Sequence, residues 1–257
     1  MKLSKQQIKQ HQTAVDVLNK DILTYDEKVY VYENWIPAYE ENIGEIGSFF
    51  TPLGLARDFA TLEVVGDNII DLCAGIGSLS FHYFHRMLMH DKEVKITCIE
   101  QSQAFVEVGK KLLPSANWIC ADALNKETYT DLIKNEKFDY CISNPPFGKI
   151  KTTTNTEWIK YAGSEFEYKI IAVGNEITKY GEGAYIIPQS SAPFRYSNLP
   201  NTKYQPPYEV TENTKTKKWL NDTNTILSVG TPIDTGYYYN DWVGTKVLCE
   251  IVLTGIE

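Results

Sequence analysis

Short apolar runs alternate with amphipathic stretches along most of this 257-residue chain. The runs are rich in β-branched and aromatic residues, as buried strands are, whereas the stretches between them repeat apolar residues at helical spacing. The pattern predicts strands at 68–73, 94–99, 117–120, 138–143, 183–188, 225–229 and 246–254. It predicts helices near 52–64, 78–89, 102–113, 126–135 and 157–180.

This alternation indicates an α/β fold, with a Rossmann-like, mostly parallel sheet of seven strands and helices on both faces. A loop without a helix joins the last two strands, so we expect the last strand to be antiparallel. Residues 1–43 have helical spacing and an aromatic stretch, which predicts an N-terminal helical extension ahead of one domain at 44–257.

Polar residues stand at the ends of the first four predicted strands, and two glycines follow the first of them. The polar residues are Asp71, Glu100, Asp122 and Asn144. Gly75 and Gly77 allow a ligand to approach the backbone closely, and the helix after them offers free N–H groups. Because ligands of an open parallel sheet bind outside the C-terminal ends of its strands, we expect the four side chains to converge on one crevice.

The tetrapeptide Asn144-Pro145-Pro146-Phe147 directly follows the fourth predicted strand. The prolines restrict φ and hold Asn144 out of the helical region, so its amide and the neighbouring carbonyls become aimed acceptors. Acceptors beside the ring of Phe147 suit a planar nitrogenous group, such as a base removed from its duplex. An ordinary Pro-Pro loop is the alternative.

These motifs together resemble those of S-adenosylmethionine-dependent methyltransferases, and within them those of the N6-adenine DNA methyltransferases. Residues 71–77 are similar to the cofactor-loop motif and residues 144–147 to the catalytic motif. Residues 47–52 resemble the segment that closes over the methionine part of the cofactor. Residues 217–220, 225–229 and 244–248 resemble the end of the catalytic domain in type I restriction-modification methylase subunits.

The resemblance covers residues 44–254 and implies a class I methyltransferase domain with S-adenosylmethionine as cofactor and no metal. It implies transfer of a methyl group to N6 of adenine in DNA by the catalytic residues Asn144, Pro145, Pro146 and Phe147. The implied cofactor-binding residues are Phe49, Thr51, Asp71, Ala74, Gly75, Gly77, Glu100, Asp122 and Ala123. An RNA or protein-glutamine methyltransferase and a non-catalytic cofactor-binding subunit remain alternatives.

The net charge of -8 argues against a general polyanion binder, so any contact with DNA must be local. Lys149 and Lys151 directly after the catalytic motif and Arg195 in a basic segment are candidates for substrate binding. Tyr238 and Trp242 lie in an aromatic loop, where rings can stack on bases. Packing of the same rings against the core is an equal alternative.

The polar N-terminus and the lack of a long apolar run predict a cytoplasmic protein without a membrane span. Five cysteines lie in predicted strands, where we expect them to be buried, and five buried thiols fit a reducing compartment. Type I enzymes usually append a target-recognition domain, whereas this sequence ends at Glu257, just after its last predicted strand. We therefore expect DNA specificity from residues 189–214 and the loop at 237–242 or from a separate specificity subunit.

Overall fold

The computed structural model describes residues 4–36, 50–200, 209–210, 213–242 and 246–255. The strands are β1 (Asn68–Leu72), β2 (Lys95–Glu100), β3 (Asn117–Cys120), β4 (Tyr140–Ser143), β5 (Gly183–Pro188), β6 (Phe194–Arg195), β7 (Glu209–Val210), β8 (Ser228–Val229) and β9 (Cys249–Thr254). The helices are α1 (Lys5–Leu18), α2 (Tyr25–Asn34), α3 (Leu53–Leu62), α4 (Ser78–Met89), α5 (Gln103–Leu112), α6 (Phe166–Ile177) and α7 (Thr214–Thr223).

A seven-stranded sheet in the order β3-β2-β1-β4-β5-β9-β8 forms the centre of the molecule. Strands β1 to β5 are parallel, and β9 runs antiparallel to both of its neighbours. The predicted α/β sheet, including its antiparallel last strand, is therefore confirmed. The strands β6 and β7 pair separately, beyond the C-terminal end of β5.

Helices cover both faces of the sheet, because successive side chains of a strand point to opposite sides. Ile69 of β1 belongs to a cluster covered by α3 and α4, and its neighbour Ile70 belongs to a cluster covered by α6. Both side chains are fully buried. Within the described ranges, no helix combines the length and apolar character that a membrane span requires.

The helices α1 and α2 close a third apolar cluster beside α4 and α5. Capping boxes begin both helices, with Ser4 at the start of α1 and Thr24 at the start of α2. The cluster comprises Ala14, Leu23, Val31, Tyr32, Trp35, Ile76, Phe81, Phe105 and Leu112. The predicted domain boundary between residues 43 and 44 lies outside the described residues.

The helix predicted at 126–135 is wrong. The structure has a 3-10 turn there, Lys126–Tyr129, followed by irregular turns. The side chain of Asn125 accepts from the backbone N–H of Glu127 at 3.1 Å. Such a local side-chain bond competes with the regular helical pattern.

Two further predictions differ from the structure. The helix α6 begins at Phe166 rather than near 157, and the indole of Trp158 instead donates to the carbonyl of Leu124 at 2.9 Å. This bond holds the segment before α6 against the turn that follows β3. Cys120, expected to be buried, is exposed because β3 is an edge strand.

The ring of Trp118, on β3, fills a notch between α5 and the turn that precedes α4. Its indole N–H donates to the carbonyl of Leu113 at 3.1 Å. A Cβ at Gly109 would lie 2.2 Å from Cη2 of this ring, and a Cβ at Gly77 would lie 2.9 Å from the same atom. Glycine at both positions therefore permits the close approach of the ring.

We expect Gly109→Ala to lower the free energy of unfolding by about 1–3 kcal/mol, because the added methyl group overlaps Trp118. At an open helical site the same change would raise it by about 1 kcal/mol. Urea unfolding measures the difference. In a Trp118→Leu background the overlap is removed, so Gly109→Ala should become neutral or stabilising. Equal effects in both backgrounds would contradict this contact.

Candidate active site

The turn after β1 holds backbone groups at the edge of a cleft. Gly75 and Gly77 have φ values of 58° and 88°, in the left-handed region that favours glycine. Glu100, at the end of β2, accepts from the N–H of Gly75 at 2.9 Å and from the N–H of Ser102 at 2.8 Å. Burial raises the pKa of Glu100. Its carboxylate thus joins the end of β2 to the glycine turn.

The N-terminal part of the chain supports the same turn. The hydroxyl of Tyr32 donates to the carbonyls of Ile76 and Gly77 at 3.3 and 3.4 Å. Trp35 stacks on Phe50 with ring centroids 5.8 Å apart. The ring of Phe50 in turn lies so close to the glycine turn that it helps to line the cleft.

Asp71 has one carboxylate oxygen without a hydrogen-bond partner among the described residues. Its Oδ2 accepts from the hydroxyl of Ser80 at 2.7 Å, whereas Oδ1 is buried and unpartnered. Burial raises the pKa of Asp71 to about 7, and nearby Glu100 adds to the rise. A buried acceptor without a donor is unusual in folded proteins, so a ligand that brings a cationic donor fits this position.

The amide of Asn144 faces the same cleft from the end of β4. Its Nδ2 donates to the hydroxyl of Thr51 at 2.9 Å, a contact across 93 positions of sequence. The described residues that line the cleft are Phe50, Thr51, Asp71, Cys73, Ala74, Gly75, Ser78, Leu79 and Asn144. Of the four strand-end residues that the sequence placed in one crevice, Asp71 and Asn144 line this cleft, whereas Glu100 and Asp122 are not among its lining residues.

Asp122 lies at the end of β3, and both of its oxygens accept hydrogen bonds. Oδ1 accepts from the backbone N–H of Leu124 at 2.9 Å, and Oδ2 accepts from the hydroxyl of Thr154. The neighbouring Ala123 is 5% exposed. The segment that follows the catalytic motif therefore reaches back to the end of β3. Sequence reasoning missed Thr154, since nothing local to the threonine run at 152–154 indicates this contact.

The rest of the predicted catalytic motif is partly covered by protein. Pro145 is buried, and Pro146 and Phe147 are intermediate in exposure. The ring of Phe147 packs against the core cluster beneath α3 and α4, and it is therefore less exposed than the sequence suggested. Beyond it, Gly148 is held by Glu167, a residue that the sequence analysis did not single out.

The predicted substrate residues fall into two groups. Lys149, Lys151 and Arg195 are exposed. The hydroxyl of Tyr238 donates to Asp58 on α3, and Trp242 is only 3% exposed. These two rings adopt the packed arrangement, because the loop folds back onto the core. The expectation that they present stacking surfaces is corrected. Phe49 lies outside the described residues.

Comparison with known proteins agrees with this architecture. The family described as "Methyltransferase small domain" matches residues 55–169, a segment that includes the ends of β1 to β4. No curated protein sequence matches the chain.

Solved structures with low sequence identity share the fold. One is the methyltransferase subunit of a type I restriction-modification system from Streptococcus thermophilus, with 17% identity, 91% of this chain and 50% of that chain covered, and a TM-score of 0.57. Another is the type I restriction enzyme EcoKI M protein, with 13% identity, coverage of 98% and 54%, and a TM-score of 0.53. A third, from Listeria monocytogenes, is described as a candidate class I S-adenosylmethionine-dependent methyltransferase, with 12% identity, coverage of 99% and 82%, and a TM-score of 0.54.

The fold is that of the class I methyltransferases, and the matched family supports S-adenosylmethionine as the cofactor. Together they indicate an S-adenosylmethionine-dependent methyltransferase. The chain spans about half the length of the two type I subunits that it matches, whose coverage is 50% and 54%.

We expect Asp71 to contribute a loss of stability to the ligand-free protein as the pH rises from 3.8 to about 7, because burial raises its pKa across this range. The folded state binds this proton more tightly than the unfolded state, so the stabilisation is complete below the lower pKa and is lost as the pH passes the higher one. Carboxyl groups whose pKa is lowered, such as Asp139 and Asp222, contribute with the opposite sign. One such group changes the free energy of unfolding by at most about 1.4 kcal/mol per pH unit.

Urea unfolding of the wild type and of Asp71→Asn at several pH values measures this contribution as the difference between their slopes of stability against pH, and the slope of Asp71→Asn should be the more positive of the two. Burial also raises the pKa of Glu63 to about 7, so part of the slope should remain. Glu63→Gln is the matched control, because it should remove only the contribution of Glu63 to the pH dependence of stability. An unchanged slope in Asp71→Asn would contradict the raised pKa.

Proposed function

We propose that this chain transfers a methyl group from S-adenosylmethionine to N6 of adenine in DNA. The hydrogen bond between Asn144 and Thr51 carries the proposal, because it sets the amide of the catalytic motif in the same cleft as the glycine turn. An asparagine that served only to shape a loop would not need to face this cleft.

Residues that line the cleft and residues at the neighbouring strand ends fit the chemical parts of the cofactor. Asp71 offers a buried carboxylate to the ammonium group of its methionine part, and Gly75 with Gly77 allows that part to approach the backbone. Glu100 provides acceptors for the two ribose hydroxyls, and Asp122 provides one for the adenine amino group. Phe49, Thr51, Ala74 and Ala123 complete the proposed cofactor site. The bound cofactor supplies the methyl group.

The target nitrogen is a poor nucleophile, because its lone pair is delocalised into the adenine ring. Two acceptors, the amide oxygen of Asn144 and the carbonyl of Pro145, would bind its two hydrogens and favour a more tetrahedral nitrogen. Phe147 would stack on the extruded base and offset part of a flipping cost of a few kcal/mol. Holding the reacting atoms in line lowers the entropic part of the barrier.

The two type I subunits with the same fold support DNA as the substrate, since both are named as parts of restriction systems. A separate specificity subunit remains part of the proposal. The exposed cations Lys149, Lys151 and Arg195 offer local contacts to phosphates on an otherwise acidic protein.

We expect Asn144→Ala to lower kcat for methyl transfer by at least about 100-fold, because the target amino group loses an acceptor that matters in the transition state. Affinity for S-adenosylmethionine should stay within about twofold, since the amide is assigned to the substrate. Transfer of tritiated methyl to duplex DNA and calorimetric titration measure the two quantities. Phe147→Ala should act less sharply, with a loss of about 1–3 kcal/mol of stacking.

Asn175→Ala is the matched control for this experiment, because Asn175 lies on α6 at the opposite end of the sheet. It should leave kcat unchanged. RNA and a glutamine-containing peptide, offered as separate substrates, distinguish the alternative acceptors. Normal methylation of DNA by Asn144→Ala would rule out the proposed mechanism.

Contact with DNA should be weak and limited to few phosphates. We expect Lys149→Ala and Lys151→Ala each to reduce the slope of log affinity against log salt by about 0.9, as loss of one phosphate contact does. Lys137→Ala is the control, because this exposed lysine precedes β4 at the other end of the sheet. Fluorescence anisotropy with a labelled duplex measures the slopes. If all three variants keep the wild-type slope, the proposed DNA surface is wrong.

A further inference from the structure

The first turn of α6 holds both backbone polar groups of Gly148, the residue that follows the catalytic motif. The N–H of Gly148 donates to the Glu167 carboxylate at 2.8 Å, and the N–H of Phe166 donates to the carbonyl of Gly148 at 2.8 Å. Gly148 has φ of 85°, a conformation that favours glycine. The chain is therefore clamped at this position by two hydrogen bonds from one helix end.

The other end of the motif is anchored in the sheet. The hydroxyl of Ser143, the last residue of β4, donates to the carbonyl of Leu72 on β1. Between the two anchors, Pro145 and Pro146 have restricted φ angles. The four motif residues thus bridge two fixed points with little freedom of their own.

Glu167 is completely buried, which makes its contact with Gly148 costly to maintain unless both oxygens are satisfied. Its second oxygen accepts from the hydroxyl of Ser191 at 2.7 Å, in the turn that follows β5. Lys215 donates to the same hydroxyl at 3.1 Å. The carboxylate therefore sits in a network that holds it at the end of the catalytic motif.

We propose that Glu167 is a positioning residue for methyl transfer, an inference that rests on the function proposed above. It holds Gly148 so that the acceptors at Asn144 and the ring of Phe147 keep their place relative to the cofactor site. Its hydrogen bonds reach Gly148 and Ser191 and none of the proposed cofactor residues. Its loss should therefore affect the rate of transfer rather than the binding of the cofactor.

The test compares Glu167→Ala with Glu167→Gln in the full chain. In Glu167→Ala the N–H of Gly148 loses its carboxylate acceptor, so hydrogen exchange of the backbone N–H groups within residues 144–150, which Pro145 and Pro146 lack, should become faster by about tenfold or more. Its kcat on duplex DNA should fall by about ten- to hundredfold, with cofactor affinity within about twofold. Glu167→Gln keeps an acceptor of the same shape and should restore most of both quantities.

Asp139→Ala is the matched control. Like Glu167, Asp139 holds the backbone through its carboxylate, which accepts from the N–H groups of Asp67 and Asn68 at 3.1 and 2.8 Å, but it does so at the opposite end of the sheet. Its loss should leave the exchange at residues 144–150 and kcat unchanged. Faster exchange at these residues in both variants would show general loosening and overturn the proposal.

Gly148→Ala gives a second measurement if Glu167→Ala does not fold. A Cβ at this position meets no atom within 4 Å, so the change adds backbone strain without a clash and should lower kcat by about tenfold. Normal kcat in either variant, with an active wild type, overturns the proposal. A wild type that does not methylate DNA contradicts the proposed function instead, and the exchange comparison still decides whether Glu167 holds the motif.

Discussion

Parallel pairing of β1 with β2 on one side and with β4 on the other is the constraint on which the site depends. Leu72 of β1 is in register with Ile99 of β2 and with Ser143 of β4. Three strands therefore end at the same level, so the register of the sheet alone brings the residues just beyond their ends close together. Substituting side chains at the site leaves this arrangement in place, since backbone hydrogen bonds within a doubly covered sheet define it.

Buried carboxylates serve two different purposes in this molecule. Glu250 accepts from the backbone N–H groups of Tyr196 and Ser197 at 2.9 and 3.0 Å and from the amide of Gln189 at 2.6 Å, so protein donors satisfy it. Asp71 differs, because one of its buried oxygens has no donor among the described residues. A carboxylate satisfied by the protein stabilises a loop, whereas an incompletely satisfied one is better suited to bind a ligand.

The sequence predicted the sheet, because apolar runs are local signals, and it placed a polar residue at the end of each of the first four strands. Only two of these residues, Asp71 and Asn144, line the cleft. The region before α6 is held by a tertiary hydrogen bond, from Trp158 to Leu124, which local spacing does not encode. The turn at Lys126–Tyr129 instead follows from a local side-chain bond of Asn125, which apolar periodicity does not reveal. The same loop sequence allows an aromatic ring either to pack against the core or to stack on a base. The burial of Trp242 in the structure decides between these alternatives, and the sequence alone does not. Thr154 contacts Asp122 across 32 positions of sequence, and Glu167 contacts Gly148 across 19 positions. No local pattern in the sequence predicts either contact.

The third apolar cluster has a consequence for how this protein can be divided. Ile76, Phe81 and Phe105 are at most 3% exposed, and residues of α1 and α2 belong to the cluster that buries them. A fragment trimmed to begin where the methyltransferase motifs begin would uncover these side chains and remove the hydroxyl of Tyr32 from the carbonyls of the glycine turn. The smallest unit that keeps the glycine turn intact therefore includes α1 and α2, and it is larger than the segment that contains the motifs.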